Sequence, residues 1–364
     1  MNHAALTESL ATVGTTNGMK IVQKLPRRVA LLVVVGALVA SVGAGIALAR
    51  GTATPIGTGV VVIDTNLGYQ GGTAAGTGMV LTSSGEVLTN NHVISGATTI
   101  KVVVPKTGHS YTARVVGYDR AADVALLQLR GVSNLKTVSI SSTKLSVGTT
   151  VTALGNAGGN GSIASATGKV TGLGKSITAS TDTGSSEKLT GLIETNAAVQ
   201  PGDSGGPLVN SKGQVVGMDT AASSSRFGFQ GISATDAYAI PLSKALTVAQ
   251  AISSGKASAT VHIGATAFLG IEVESVVTPG YGDGSGSTSG ALIAGVMSGG
   301  PAASAGLAAG DVITAINGHA ISSPSAISAL VLTKKPGMKI RVAYVDPSGV
   351  SHTASVTLGS GPAQ

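Results

Sequence analysis

The stretch Gln200-Pro201-Gly202-Asp203-Ser204-Gly205-Gly206-Pro207 sets a single hydroxyl among small residues in a tight turn. A serine with so little bulk on either side is suited to attack a carbonyl. Gly202 can adopt backbone angles that turn its N–H toward the point faced by the Ser204 N–H, which gives a two-donor oxyanion hole. Gly205 and Gly206 leave room for the substrate carbonyl. Glycine fills 53 of 364 positions, so a Gly/Ser/Pro turn alone is ordinary here. The string becomes informative if the chain also supplies a base and a group to orient it.

The base is sought among six histidines. The run from Gly76 to Leu81, the turn Thr82-Ser83-Ser84-Gly85 and the run Glu86-Val87-Leu88-Thr89 form a hairpin signature. That hairpin delivers the chain to Asn90-Asn91-His92-Val93-Ile94, so His92 lies at a strand end among small polar residues. His3, His109, His262, His319 and His352 fall in tails, turns or strand ends and read as solvated or structural. Two aspartates compete for the orienting role. Asp123 immediately precedes the apolar run 124–129, whose start fixes its carboxylate toward the interior; Asp119 sits beside Arg120 and reads as an exposed turn residue. The order His92, Asp123, Ser204 is that of the chymotrypsin-like fold and differs from those of subtilisins and α/β-hydrolases. It predicts a double β-barrel, with His92 and Asp123 on a first barrel near 60–143, Ser204 on a second near 144–241, and the cleft between them.

Three strings, Leu88-Thr89-Asn90-Asn91-His92-Val93-Ile94, Asp123-Val124-Ala125-Leu126-Leu127 and Asn196-Ala197-Ala198-Val199-Gln200-Pro201-Gly202-Asp203-Ser204-Gly205-Gly206-Pro207-Leu208, together resemble the high-temperature-requirement (HtrA) family of serine proteases. The resemblance implies a mainly β chain, with a chymotrypsin-like double β-barrel protease domain followed by a PDZ domain. It implies that Ser204 attacks, His92 carries the proton, Asp123 holds the imidazole, and the N–H groups of Gly202 and Ser204 bind the oxyanion. Asn196 stands where the family usually has Asp, and Asp203 replaces the commoner Asn. No Arg-Ile-Val-Gly-Gly start exists to pair with Asp203 as in trypsin-like zymogens, so Asp203 needs another partner or water. In double-barrel proteases the residue six before the nucleophile floors the primary pocket. Here it is Ala198, with Thr220 and Ala221 on the wall formed by 218–222. An apolar floor cannot neutralise Arg or Lys, which points to cleavage after small or medium aliphatic residues. The polar, Gly/Ser-rich stretch 171–188 reads as a mobile loop.

Beyond a helically spaced stretch at 242–252 and a small-residue linker at 253–261, a second domain is expected over 262–360. Phe268-Leu269-Gly270-Ile271 would aim successive N–H groups at a peptide C-terminal carboxylate, while the edge 272–277 accepts the peptide as an added strand. The run from Gly300 to Gly318 closely resembles the helix-strand-turn segment of PDZ domains, and 325–332 would line the groove. Residues 278–289 read as a flexible insertion, and those after Gly359 as a frayed end.

At the other end, residues 1–28 read as a cytoplasmic tail bearing Lys20, Lys24, Arg27 and Arg28. Residues 29–49 carry no charge, and 21 helical residues are enough to cross a bilayer. The basic flank keeps the tail inside and places the protease and PDZ domains outside the cytoplasm. The small-x-small pattern Ala47-Leu48-Ala49 keeps open a cleaved signal peptide and a secreted protein. Residues 50–75 form a Gly/Thr-rich connector, and 76–252 the trypsin-like protease domain. The family's trimers form through the segment before the protease, so a homotrimer is implied, although Tyr69 is the main aromatic available there. Beyond residue 50 the charges are 18 basic and 15 acidic with no block of one sign, which excludes a nucleic-acid footprint. No cysteine is present, and no His-Glu-x-x-His pattern or nucleotide loop, so no metal or organic cofactor is expected. The expected partners are unfolded or exported polypeptides at the protease and peptide C-termini at the PDZ groove. A reading from another class, a peptide-capturing scaffold with a resting protease domain, stays open.

Overall fold

The computed structural model describes residues 56–69, 71–180, 186–222, 236–275 and 290–363. The tail at 1–28, the membrane or signal segment at 29–49 and the insertion at 278–289 lie outside them. Among the described residues no helix is long and apolar enough to cross a membrane.

The first barrel starts earlier than the expected protease boundary. β1 (Val60–Leu67) and β2 (Gly72–Val80) pair antiparallel from Val60–Met79 to Leu67–Gly72. The stretch read as a connector therefore supplies a strand, because Val60, Val61, Val62 and Ile63 are all buried. The turn after β2 closes through Gly85 N–H to the Thr82 carbonyl at 3.0 Å, and β3 (Glu86–Thr89) returns. A single turn, α1 (Asn91–Ile94), precedes β4 (Thr99–Val104), β5 (His109–Asp119) and β6 (Val124–Leu129). The order is β5-β4-β1-β2-β3-β6, and a β5–β6 pairing closes the ring. Alternation sets the faces: Ile100 and Val102 of β4 point into the core while Thr99 and Lys101 face water.

The second barrel is also closed. It comprises β7 (Thr150–Gly155), β8 (Ala164–Ser180), β9 (Ser186–Thr195), β10 (Pro207–Asn210), β11 (Val215–Ala222) and β12 (Ala237–Pro241), in the order β10-β11-β12-β9-β8-β7. The loop expected over 171–188 is, over its described residues 171–180 and 186–188, part of two long strand arms. Ile177 and Leu189, cross-strand partners and both buried, anchor them despite the surrounding Gly and Ser. α2 (Leu242–Ser253) buries Leu242, Ala245, Ala249 and Ile252 along one face, the spacing a helix packed on a barrel requires.

After α2 come β13 (Val261–Ile263), β14 (Thr266–Phe268), β15 (Ile271–Ser275), β16 (Ala291–Val296), α3 (Pro301–Ser304), β17 (Val312–Ile316), β18 (His319–Ala320), α4 (Pro324–Leu332), β19 (Lys339–Val345), β20 (Ser351–Thr357) and β21 (Gly359–Gly361). The main sheet runs β15-β16-β17-β19-β20, with a core including Ile293, Ile313, Val342 and Val356. Three expectations change here. β13 pairs with β5 of the first barrel, Val261 opposite Asp119 and Ile263 opposite Gly117. Asp119 is buried rather than exposed, since one carboxylate oxygen accepts the Ala122 N–H at 3.1 Å and the other the Thr260 hydroxyl at 2.9 Å. The end of the chain is not frayed: β21 pairs with β14, and Ala363 is buried, its carbonyl accepting the Gly96 N–H at 2.8 Å.

Candidate active site

The site lies where the first barrel's β2–α1 region meets the second barrel's nucleophile turn. Asp123 takes a left-handed conformation, φ 53°, just ahead of β6. Its N–H donates to the Arg120 carbonyl at 3.1 Å, and its own carbonyl accepts the Asn90 side-chain amide at 2.9 Å. Held by its backbone, Asp123 presents one carboxylate oxygen to the His92 N–H at 3.0 Å and the other to the His92 ring Nδ1 at 2.9 Å. The second oxygen also accepts the Thr220 hydroxyl at 2.5 Å. A carboxylate only accepts, so the neutral imidazole carries its proton on Nδ1 and leaves Nε2 as the basic nitrogen. Asp123 is 5% exposed, whereas the His92 side chain is 44% exposed, as a proton carrier facing a cleft must be.

Ser204 is brought to this pair by its backbone. Its carbonyl accepts the Thr77 N–H at 2.9 Å, and the Thr77 hydroxyl donates to the Gly202 carbonyl at 2.7 Å. The same hydroxyl accepts the Asn156 N–H at 2.9 Å. Thr77 thus rivets the two barrels at the turn. At Gly205, φ +83°, a Cβ would collide with the Thr77 carbonyl and Thr89 Oγ1; at Gly202, φ +99°, it would strike the Asn156 carbonyl. Only glycine fits at either place. Thr89 and Asn90 lie just ahead of His92, so Gly205 packs the turn against the start of α1.

One further contact orients the Gly202 amide. Gly158 N–H donates to the Pro201 carbonyl at 2.8 Å. In a planar peptide the N–H opposes the carbonyl, so this bond aims the Gly202 N–H away from Gly158. Among the described residues neither the Gly202 N–H nor the Ser204 N–H has an acceptor. The arrangement can therefore hold a proton on an imidazole, present a hydroxyl, and receive negative charge on two amides. Among the described residues no group of three or more His, Asp, Glu or Cys could hold a metal ion.

The family "Trypsin-like peptidase domain" matches residues 76–218, and the family "PDZ domain" matches residues 292–342. The chain is 35% identical over 319 residues to Serine protease PepD of Mycobacterium tuberculosis, covering 82% of this chain and 63% of that protein. It is 34% identical over 270 residues to the Escherichia coli protein named Periplasmic pH-dependent serine endoprotease DegQ, covering 73% and 55%. The solved HtrA-type protease AlgW with tripeptide is 30% identical, with 83% of this chain and 93% of that chain covered and a TM-score of 0.46. The chain joins a trypsin-like peptidase domain to a C-terminal PDZ domain, and its homologues are HtrA serine proteases. It spans less than two thirds of the length of the curated relatives it matches.

Within this chain the remaining predicted positions fall as follows. Ala198 is exposed three residues beyond β9, while Ala221 lies in β11 with its side chain outside the described residues. Thr220 is buried with its hydroxyl on Asp123, so its polar atom serves the carboxylate. Asn196 accepts the Lys169 N–H at 2.7 Å. Asp203 is 4% exposed; one oxygen accepts the Gln200 N–H at 2.8 Å, and burial pushes its carboxyl up. In the PDZ domain, Phe268 ends β14 and stacks on Tyr69, ring centroids 5.2 Å apart. The Leu269 carbonyl accepts the Ala302 N–H and the Gly270 carbonyl accepts the Met297 N–H, both at 3.0 Å. The N–H groups of Leu269 and Gly270 have no acceptor among the described residues, and Ile271 opens β15, the edge strand of its sheet. Thr77 is a site residue that sequence reasoning missed, and the bond from Thr220 to Asp123 is a role it did not foresee.

Proposed function

We propose that the chain is an extracytoplasmic serine endopeptidase acting on unfolded or exported polypeptides. The observation that carries this reading is the hydrogen-bonded series Thr220–Asp123–His92 beside a nucleophile turn whose two amides are unengaged. Ser204 Oγ attacks the scissile carbonyl carbon while His92 Nε2 takes its proton, and the carbonyl oxygen gathers charge against the Gly202 and Ser204 amides. As the C–N bond breaks, His92 returns the proton to the leaving amine, which leaves an acyl group on Ser204. Water then attacks, giving its proton to His92, and Ser204 departs protonated. Asp123 holds the tautomer throughout and stabilises the imidazolium.

The apolar Ala198 supports cleavage after small or medium aliphatic residues. The open edge of β15 with the Leu269 and Gly270 amides supports capture of a peptide C-terminus by strand addition. The uncharged segment 29–49 supports a single membrane anchor with both domains outside the cytoplasm, and the family resemblance supports a homotrimer. The test is labelling by a fluorophosphonate together with digestion of an unfolded protein. Ser204 should be labelled and the unfolded protein cut, and Ser204→Ala should abolish both. A folded chain that captures peptides but neither reacts nor cuts would favour the scaffold reading.

A further inference from the structure

One buried acid has no place in the mechanism above. Asp219 lies in β11 with 0% of its surface exposed, and among the described residues neither carboxyl oxygen has a hydrogen-bond partner. Its backbone nevertheless grips the nucleophile turn from beneath. The Asp219 carbonyl accepts the Gly205 N–H at 2.9 Å, and its N–H donates to the Gly206 carbonyl at 2.8 Å. The next residue, Thr220, holds Asp123. One short piece of strand thus supports both the nucleophile and the group that orients its base.

The nearby charge makes this acid consequential. Asp203, adjacent to Ser204, is also buried, and its Oδ1 has no partner among the described residues. Among the described residues three buried carboxyl oxygens of these two acids are therefore without donors. Among the described residues, Asp203 is the charged group acting on Asp219; the residue opposite on β12 is Ala239. An unpaired carboxylate in such a place is expensive, and the site responds by keeping a proton. Burial first, and the Asp203 charge second, push the Asp219 carboxyl well above the ordinary range.

We propose that Asp219 is a positioning residue that acts as a neutral carboxylic acid, and that the nucleophile turn keeps its working shape only while this proton is in place. Resting on the peptidase reading, this assigns to the same site an alkaline limit distinct from the proton traffic of His92. The sign follows from linkage. The closed turn binds the Asp219 proton more tightly than an opened, hydrated turn does, so rising pH favours the opened turn. Once both carboxyls are ionised, their repulsion separates β11 from the turn, and the Gly205 and Gly206 clasps are lost. Asparagine at 219 would have nearly the same shape and no proton to lose.

The experiment follows fluorophosphonate labelling of Ser204 in the full chain from pH 6 to 11, with infrared detection of the protonated carboxyl stretch in parallel. In the parent chain the labelling rate should fall about tenfold per pH unit on the alkaline side, as a single proton requires, and the stretch should vanish over the same range. Asp219→Asn should remove both the fall and the band. Asp203→Asn, which removes the repelling charge, should move the limb to lower pH. An alkaline limb unchanged in Asp219→Asn, or no protonated carboxyl at pH 7, would overturn the proposal. If Ser204 fails to label at any pH while the carboxyl band titrates as described, the peptidase reading falls and the neutral acid stands.

Discussion

Replacing Thr77 by valine tests whether one hydroxyl holds the nucleophile turn. The two side chains have nearly the same shape, so the substitution removes little but the Oγ1 atom. Thr77 is 0% exposed, and that atom serves two backbone groups on the other barrel, the Gly202 carbonyl at 2.7 Å and the Asn156 N–H at 2.9 Å. The Asn156 N–H would be left buried and unpaired and the Gly202 carbonyl half-buried and unpaired, at about 1–3 kcal/mol each with the carbonyl toward the lower end. Even the lower sum, about 2 kcal/mol, slows the reaction about thirtyfold if it falls on the turn that carries the Gly202 amide. The assay is the second-order rate of fluorophosphonate labelling at Ser204, read beside kcat/KM on a peptide and the thermal midpoint. Thr77→Ser, which keeps the hydroxyl, should stay close to the parent in all three. A Thr77→Val chain that melts lower yet labels at the parent rate would refute the reasoning, because the hydroxyl would then support the fold without setting the turn.

Asp123→Asn should lower kcat by about 10⁴ with little change in unfolding, since an amide that donates toward Nδ1 favours the wrong imidazole tautomer; stopped-time peptide hydrolysis checks this. Gly202→Ala should lower labelling about 10²–10³-fold, because its Cβ would strike the Asn156 carbonyl and turn the amide away from the oxyanion. Ala198→Asp should gain cleavage after Arg or Lys, read from mass spectrometry of a digested unfolded protein, and no such gain would remove Ala198 from the pocket floor. Tyr238, pushed up to about 12 by burial and by its bond to Glu194, keeps its proton in the fold after the unfolded chain has released its own. Stability should therefore fall as pH rises from about 10 to 12, and Tyr238→Phe should flatten that fall in urea titrations.

The parts of this molecule that could be read in the sequence were those with local signatures. Gly-Asp-Ser-Gly-Gly-Pro announces a strained turn, Thr89-Asn90-Asn91-His92 follows an evident hairpin, and Asp123 opens an unbroken apolar strand. Their order then implied two barrels. The residues that escaped work at long range in types the chain uses everywhere. Thr77 meets Gly202 across 125 positions and Thr220 meets Asp123 across 97, and no local pattern separates either from its many fellow threonines. The stretch 171–188 reads as a loop because Gly and Ser outnumber apolar residues there, and the buried cross-strand pair Ile177–Leu189 outweighs that composition. Asp119 reads as exposed because it sits in a turn beside Arg120, and its partner Thr260 comes from a segment that reads as a linker. Asp219 did carry a signal, an acid inside the otherwise apolar run Val215-Val216-Gly217-Met218.

The three residues of β13 have a practical consequence for anyone who would separate the two halves of this chain. Residues 117–119 of β5 have β6 on one side and β13 on the other, so a chain stopped before Thr260 would expose a bare strand edge and strip Asp119 of the Thr260 hydroxyl. Such an edge invites pairing with a second molecule. A clean excision would keep this suture and cut beyond Ile263, and a protease half cut short of it should clump where the longer one stays dispersed.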